Sequence, residues 1–194
     1  MMEIQSHLIN SDNNINLYYF LEKLSDHLPD NAVVIADAGS VFFACPQALK
    51  LKEGMRYITS SQAEMGFTLP ACVGAAVADN RPVIGLTGDG SFQFNIQELI
   101  TIRNYNLNVK LFVINNGGYL TIKNTSNKFF NGARNGTDFK FPYLLSLSEA
   151  YDIRWDLIDD IGLIDKRLDE IINSKNPCIC EVMCDPNQVL LPSL

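Results

Sequence analysis

Asp89 and Asn116 are the two side chains whose types and spacing indicate a binding site. Asp89 stands between two glycines in the sequence GDGS at 88–91, and Asn116 follows 27 positions later in NNGG at 115–118. Carboxylate and amide oxygens suit Mg²⁺, which commonly binds through a few protein ligands together with the phosphates of a substrate. We therefore predict that Asp89 and Asn116 hold a divalent cation, and that the cation holds a diphosphate.

Each of the two sequences has a simpler interpretation when it is taken alone. Asn-Gly and Gly-Gly pairs are strong turn formers, so NNGG by itself predicts a turn. GDGS by itself is also unspecific. The pair at this spacing, separated by one helix and one strand, favours the metal site, in which Gly117 and Gly118 would let a backbone carbonyl turn inward as a third protein ligand.

The residues that follow Asp89 also suit a phosphate group. Ser91 is expected to be the N-cap of a helix that begins directly after it. The N–H groups and the dipole at a helix start attract phosphate. The sequence contains neither GxGxxG nor GxxxxGK[ST], so the two alternative phosphate-binding motifs are excluded.

Helices and strands alternate along the chain, and they must position these residues. Apolar spacing predicts helices at 17–28, 66–79, 92–104, 143–151 and 163–172. Short apolar runs predict strands at 31–40, 55–59, 81–87, 109–114, 153–158 and 178–183. The pattern is typical of a single α/β domain over 1–194, with an ordered core at about 15–190 and three layers: a mainly parallel sheet covered by helices on both faces.

Three polar or glycine-rich clusters, at 37–40, 88–91 and 115–118, fall at the ends of predicted strands. In such sheets, ligands bind outside the carboxyl ends of the strands. We therefore expect the three clusters to converge on one site.

Composition excludes several classes of function. The net charge of -7 gives no basic surface for nucleic acid. No apolar run approaches the length of a membrane span, and the first 14 residues are polar rather than a signal peptide, so a cytoplasmic protein is expected.

Five scattered cysteines make a poor disulfide framework. Cys178, Cys180 and Cys184 have a spacing that could suit a metal, but we interpret them as part of a buried strand.

Four separated motifs resemble thiamine-diphosphate-dependent enzymes, in the acetolactate synthase-like branch. They are DAGSVFF at 37–43, EMGFTLPACVGAA at 64–76, GDGSFQFNIQEL at 88–99 and CEVMCDPNQ at 180–188. The resemblance spans about 15–190 and is to the C-terminal, diphosphate-binding domain. It implies a thiamine-diphosphate-binding fold, with thiamine diphosphate and Mg²⁺ as cofactors.

The resemblance also implies a role for individual residues. Asp89, the side chain of Asn116 and the backbone oxygen of Gly118 would ligate Mg²⁺. Met65 would be the apolar wedge that bends the cofactor, and the carbonyl of Ala63 would accept a hydrogen bond from its amino group. The cofactor-binding set would be Ala38, Gly39, Ser40, Met65, Gly88, Asp89, Gly90, Ser91, Asn116, Gly118, Tyr119 and Leu120.

The function implied is decarboxylation of a 2-oxo acid, followed by ligation of the resulting carbanion to a second carbonyl. The activating glutamate of the family lies on a separate pyrimidine-binding domain, and neither Glu64 nor Glu98 matches it. We therefore expect this chain to be inactive alone, as a fragment of a longer chain or as one subunit of a split enzyme. A homo-oligomer is expected, because the family binds its cofactor between domains of different chains.

Two departures from the branch keep alternatives open. Ser40 and Val41 stand where a Gln-His pair is usual, and Thr125 stands near the place of a tryptophan associated with choosing the second oxo acid. The alternatives are a subunit of a two-subunit 2-oxo acid decarboxylase and a non-catalytic domain that keeps the fold.

The segment at 117–140 shows no periodicity, so we predict an irregular lid or binding loop. Lys123, Lys128 and Arg134 could meet an anionic substrate there, or they could form a solvated surface. Tyr119 and Ile122 could line the pocket, or they could anchor the loop to the core.

Overall fold

The computed structural model describes residues 14–133, 136–137 and 139–191. Six strands form one sheet in the order β2-β1-β3-β4-β6-β5, and every neighbouring pair is parallel. The strands are β1 Val33–Ala36, β2 Arg56–Thr59, β3 Val83–Gly88, β4 Val109–Asn115, β5 Arg154–Ile158 and β6 Cys178–Met183. The predicted parallel sheet is confirmed.

Helices cover both faces of the sheet, as the sequence predicts. They are α1 Leu17–His27, α2 Ser40–Ala48, α3 Thr68–Ala78, α4 Asp89–Phe92, α5 Leu99–Asn104, α6 Leu120–Phe129, α7 Leu144–Tyr151 and α8 Ile164–Ile172. One apolar core joins the sheet to α1, α2 and α8, and a second joins the opposite face to α3, α5 and α7. Among the described residues, no helix has the length and apolar character needed to cross a membrane.

Helix α1 shows how local sequence sets an element. The side chain of Asn16 accepts hydrogen bonds from the N–H groups of Tyr18 and Tyr19, which caps the first turn. The apolar face of the helix is buried against the sheet, and the helix ends at His27. Pro29 follows two residues later. A proline disfavours helical geometry in the residue before it, here Leu28, and this favours the end of the helix at His27.

Helix α3 lies unusually close to the sheet, which explains its many small residues. A Cβ atom on Gly85 of β3 would lie 2.7–2.9 Å from Leu111, Cys72 and Thr68. Only glycine at this position therefore lets α3 approach β3 so closely. Pro70 lies in the first turn of α3, where its missing N–H group has no helical partner to lose.

Two predicted elements are wrong in detail. The predicted helix at 92–104 is broken into a 3₁₀ segment, Gln93–Glu98, and α5, because the backbone leaves helical geometry at Asn95. The side chain of Asn95 donates to the carbonyl of Gly66, 2.8 Å away, and such side chain–backbone bonds compete with helix formation.

The segment at 117–140 is not irregular throughout, because α6 occupies Leu120–Phe129. Its sequence, LTIKNTSNKF, buries only Leu120 and Ser126, so it lacks the apolar stripe by which a helix is recognised. Arg134 and the N-terminal residues 1–13, on which other predictions rest, lie outside the described residues.

Candidate functional site

The three predicted clusters converge on one cavity. Strands β1, β3 and β4 are neighbours and parallel, so their carboxyl ends lie at the same edge of the sheet. A cavity of about 350 Å³ opens there. Its lining consists of Ala38, Gly39, Ser40, Phe43, Ala63, Met65, Gly88, Asp89, Gly90, Ser91, Asn116, Tyr119, Leu120, Thr121, Ile122 and Thr125.

The cavity brings together nearly all of the site residues expected from the sequence. Gly118 is the exception, because it does not line the cavity but lies behind Asp89 and donates its N–H to that carboxylate. Phe43 and Thr121 line the cavity and were not predicted. Thr121 lies on α6, a helix that the sequence pattern does not reveal.

Asp89 is a buried carboxylate with neutral partners. Its two oxygens accept the N–H groups of Gly90 at 2.7 Å and Gly118 at 2.8 Å. Burial raises the pKa of Asp89, and these backbone hydrogen bonds oppose the shift only in part. In the described part of the chain, no lysine, arginine or histidine forms a direct ion pair with Asp89, and Lys123 acts on it only through a longer-range electrostatic attraction. A cation placed in the cavity would therefore supply a direct countercharge.

Asn116 lies at the end of β4, on the same cavity wall. Its amide nitrogen donates to the hydroxyl of Ser40 at 3.2 Å, so the amide oxygen is the atom left for a ligand. A carboxylate oxygen and an amide oxygen are hard ligands, which fit Mg²⁺. The described residues contain no cluster of three or more His, Cys, Asp or Glu side chains that could hold a metal. A cation here would thus depend on Asp89 as its charged protein ligand.

Backbone N–H groups also face the cavity. Helix α2 begins at Ser40, directly after Gly39, and no side chain caps its first turn. The first N–H groups of a helix have no partner within it, and they favour an anion. Glycine at position 90 lets the ring of Tyr119 lie close to the backbone, because a Cβ at this position would lie 2.6 Å from the tyrosine ring.

The prediction that Ser91 caps the following helix is wrong. Helix α4 begins earlier, at Asp89, with Gly88 before it. The hydroxyl of Ser91 instead accepts the N–H of Gly66 at 2.8 Å and donates to Asp37 at 2.7 Å. Both bonds are buried, so the backbone N–H of Ser91, rather than its hydroxyl, is what remains for a phosphate.

Asp37 is the main polar residue that sequence reasoning did not single out. It follows β1 directly, is fully buried, and accepts hydrogen bonds from Thr87 at 3.0 Å and Ser91 at 2.7 Å. Burial raises the pKa of Asp37, and one of its oxygens has no hydrogen-bond partner among the described residues. The signal was present in the sequence, because Asp37 begins the DAGS cluster at a strand end.

Met65 and Ala63 lie on the loop between β2 and α3, and both line the cavity. Ala63 has a φ of 54°, which is uncommon for a residue with a Cβ atom. Glu64, between them, points to solvent, and Glu98 lies in the 3₁₀ segment after α4, so neither glutamate lines the cavity. This placement agrees with the expectation that neither is the activating glutamate.

The lysines of the segment after Asn116 do not line the cavity. Lys123 donates to the carbonyl of Gly117 and lowers the pKa of Asp89 by electrostatic attraction, and the ammonium group of Lys128 lies 5.3 Å from the ring of Phe129. Tyr119, Ile122 and Thr125 do line the cavity. The wall near α6 is therefore formed by apolar and hydroxyl side chains.

The cysteines contribute nothing to the cavity. All five are buried free thiols, and Cys178, Cys180 and Cys184 lie in or directly after β6. Their interpretation as a buried strand is confirmed.

Comparison with known proteins agrees with this geometry. Residues 37–182 match the family described as thiamine pyrophosphate enzyme, C-terminal TPP binding domain. The chain is 33% identical over 175 residues to the acetolactate synthase isozyme 2 large subunit of Escherichia coli K12, covering 89% of this chain and 32% of that protein. It is 29% identical over 175 residues to the acetolactate synthase large subunit of Cyanidium caldarium, covering 86% of this chain and 29% of that protein.

Acetolactate synthase from the chloroplast of Arabidopsis thaliana is 28% identical over 183 residues, covering 89% of this chain and 27% of that protein. The chain thus spans about a third or less of the length of these relatives. The resemblance seen in the sequence motifs is confirmed.

Proposed function

The chain belongs to the thiamine pyrophosphate enzyme family, as a C-terminal TPP-binding domain of the acetolactate synthase-like kind, and we propose that its cavity holds the diphosphate of thiamine diphosphate through Mg²⁺. The observation that carries the proposal is the buried carboxylate of Asp89, which lies beside the amide of Asn116 in a cavity and has only neutral hydrogen-bond donors.

In this proposal, Asp89 and the amide oxygen of Asn116 bind the metal, and the backbone oxygen of Gly118 is a third ligand. Mg²⁺ held by these residues would offset the charge of Asp89 and part of the charge of the diphosphate, and so reduce their mutual repulsion. The N–H groups at the start of α2 and those of Gly90 and Ser91 donate to phosphate oxygens. These fixed donors would offset the free-energy cost of removing the phosphates from water.

Met65 and Ala63 act on the other end of the cofactor. Met65, which lines the cavity, would lie against the organic part of a bound thiamine diphosphate, and the carbonyl of Ala63 would accept a hydrogen bond from its pyrimidine amino group. Tyr119 and Leu120 complete the apolar wall. When it is bound, thiamine diphosphate supplies the electron sink for chemistry on a 2-oxo acid, and this chain binds, orients and shields it.

For the whole protein, we propose decarboxylation of a 2-oxo acid and ligation to a second carbonyl, with a homo-oligomer as the active form. A pyrimidine-binding domain, on the same or another chain, supplies the activating glutamate, so this chain is inactive without it. The departures from the acetolactate synthase-like branch at Ser40, Val41 and Thr125 keep the two-subunit decarboxylase as an alternative. Product analysis with the pyrimidine-binding domain present separates the two: a ligated hydroxy ketone supports the first, and free aldehyde the second.

Calorimetric titration with thiamine diphosphate, with and without Mg²⁺, tests the binding proposal. We expect Mg²⁺-dependent binding that weakens at least about 100-fold in Asp89→Ala and Asp89→Asn, since loss of outer-shell groups alone costs metal sites about 10- to 100-fold. The control is Asp159→Ala, at an exposed residue far from Asp89 in the sequence, and this variant should bind as the wild type does. Equal affinity in the wild type and the Asp89 variants would contradict the metal site. Absence of binding even with the pyrimidine-binding domain would favour a non-catalytic domain.

A further inference from the structure

A set of buried hydrogen bonds, here called the Gly66 clamp, joins Asp37, Ser91, Gly66 and Asn95. Asp37 accepts from the hydroxyl of Ser91 at 2.7 Å, and Ser91 accepts from the N–H of Gly66 at 2.8 Å. Asn95 donates to the carbonyl of Gly66 at 2.8 Å. Both polar groups of the Gly66 backbone are therefore fixed to the segment that follows Asp89.

Only glycine fits at position 66, the centre of the clamp. Its φ is 80°, and a Cβ at this position would lie 2.6 Å from the Cβ of Phe94. The preceding residue is Met65, which lines the cavity. Because the N–H of Gly66 shares one peptide plane with the carbonyl of Met65, the clamp restricts where Met65 can lie.

Asp37 supplies the rigid end of the clamp. It is fully buried and is held to β3 by the hydroxyl of Thr87 at 3.0 Å and to the start of α3 by the N–H of Thr68 at 3.4 Å. Neither Asp37 nor Asn95 lines the cavity, so neither can touch a ligand bound in it.

We propose that Asp37 and Asn95 are positioning residues, which hold the Met65–Gly66 segment in register with the diphosphate-binding residues. The inference rests on the proposed function, because it assigns Met65 to the organic end of the cofactor. The two ends of the cofactor should therefore respond differently when the clamp is lost. Loss of the clamp weakens the contact with the organic part of the cofactor and leaves the Mg²⁺-diphosphate contacts intact.

Two probes separate these contacts in the full chain: inorganic pyrophosphate with Mg²⁺, and thiamine diphosphate with Mg²⁺. In Asn95→Ala, we expect affinity for thiamine diphosphate to fall about tenfold, the equivalent of one net hydrogen bond, while affinity for pyrophosphate stays within about twofold. Asn173→Ala, the same substitution at the distant end of α8, is the control and should change neither affinity.

Hydrogen exchange at the Gly66 amide, followed by NMR in the ligand-free chain, is the second readout. We expect faster exchange in Asn95→Ala and in Asp37→Asn than in the wild type or Asn173→Ala. If Asp37→Asn does not fold, Asn95→Ala carries the test, because its side chain is only partly buried.

The outcomes distinguish the two proposals. Equal loss of affinity for both probes in Asn95→Ala, or no loss for either, would contradict the positioning role and leave the proposed function standing. Failure of the wild-type chain to bind either probe even with the pyrimidine-binding domain present would contradict the proposed function, and the positioning role with it.

Discussion

Two carboxylates are buried to nearly the same degree in two regions of the sheet, and their surroundings differ. Asp156, on the edge strand β5, is 7% exposed and lies 2.6 Å from the guanidinium of Arg154 and 3.6 Å from that of Arg167. Asp89, at the carboxyl end of β3, is 6% exposed and accepts hydrogen bonds from backbone N–H groups. Asp156 is thus paired with arginines of the chain itself, whereas Asp89 forms no ion pair with the described residues and feels only the electrostatic attraction of Lys123.

Lys110 shows the limit of this comparison. It lies near the amino end of β4, is 2% exposed, and donates to the side chain of Asn108 and the carbonyl of Asn176. It therefore also has neutral partners, although it lies at the end of the strand opposite to the cavity. A buried charge without a countercharge indicates a ligand site only where it faces a space that a ligand can enter.

The largest effect is expected from Lys110. Burial lowers its pKa from 10.5 to about 8. Between these values, the unfolded chain keeps a proton that the folded chain has lost, so Lys110 alone should contribute a rise in the free energy of unfolding with pH of up to about 3 kcal/mol. The five buried cysteines, whose pKa values burial raises, contribute in the opposite direction over this range. The test is therefore the difference in free energy of unfolding between the wild type and Lys110→Met, which should rise from pH 7.5 to 10.5 in urea denaturation. The exposed control Lys166→Met should keep the wild-type slope, and an unchanged slope in Lys110→Met would contradict the assignment.

The comparison between Asp156 and Asp89 is tested by substituting asparagine for each of them and measuring stability in the absence of metal. Asp156→Asn should lower the free energy of unfolding by about 2 kcal/mol at pH 7, because it removes a charged acceptor from Arg154 and Arg167. Asp89→Asn should lower it less, because removal of a desolvated charge offsets the loss of one of the two oxygens that accept from Gly90 and Gly118. The measurement is urea denaturation of both variants in a chelating buffer. Destabilisation of equal size in the two variants would remove the distinction between the regions.

The smallest effect is expected from His27, which joins α1 to α8 at the surface. Burial of the imidazole opposes protonation, but hydrogen bonds to Asp165 and Asp169 outweigh it and raise the pKa of His27 above 6.5. The stabilisation is therefore complete below pH 6.5 and is lost as the pH rises through the folded-state pKa. Because both aspartates are exposed, it should be below about 1 kcal/mol. In His27→Gln, thermal stability should depend less on pH between pH 5 and pH 8 than it does in the wild type. A wild-type pH profile in this variant would refute the pairing.

Sequence reasoning found the residues that lie where strands end, because a change from apolar to polar or glycine residues is visible along one segment. Asp89 and Asn116 were both identified in this way, and the structure places both on one cavity. Helix α6 was missed, since its stability does not come from an apolar stripe. The Gly66 clamp was missed because its partners, such as Ser91 and Asp37, are 54 residues apart in sequence.

The sequence by itself determined the α/β class and the parallel sheet, because the apolar character and order of successive strands and helices are visible along the chain. It also predicted the candidate metal ligands, from two strand ends 27 positions apart. Only the tertiary structure decided what each polar side chain meets. It bonded the Ser91 hydroxyl to Asp37 rather than leaving it for a ligand, bonded the N–H of Gly118 to Asp89, and paired Asp156 with Arg154. Hydrogen bonding and desolvation depend on distances between residues far apart in the chain, and the folded sheet sets those distances.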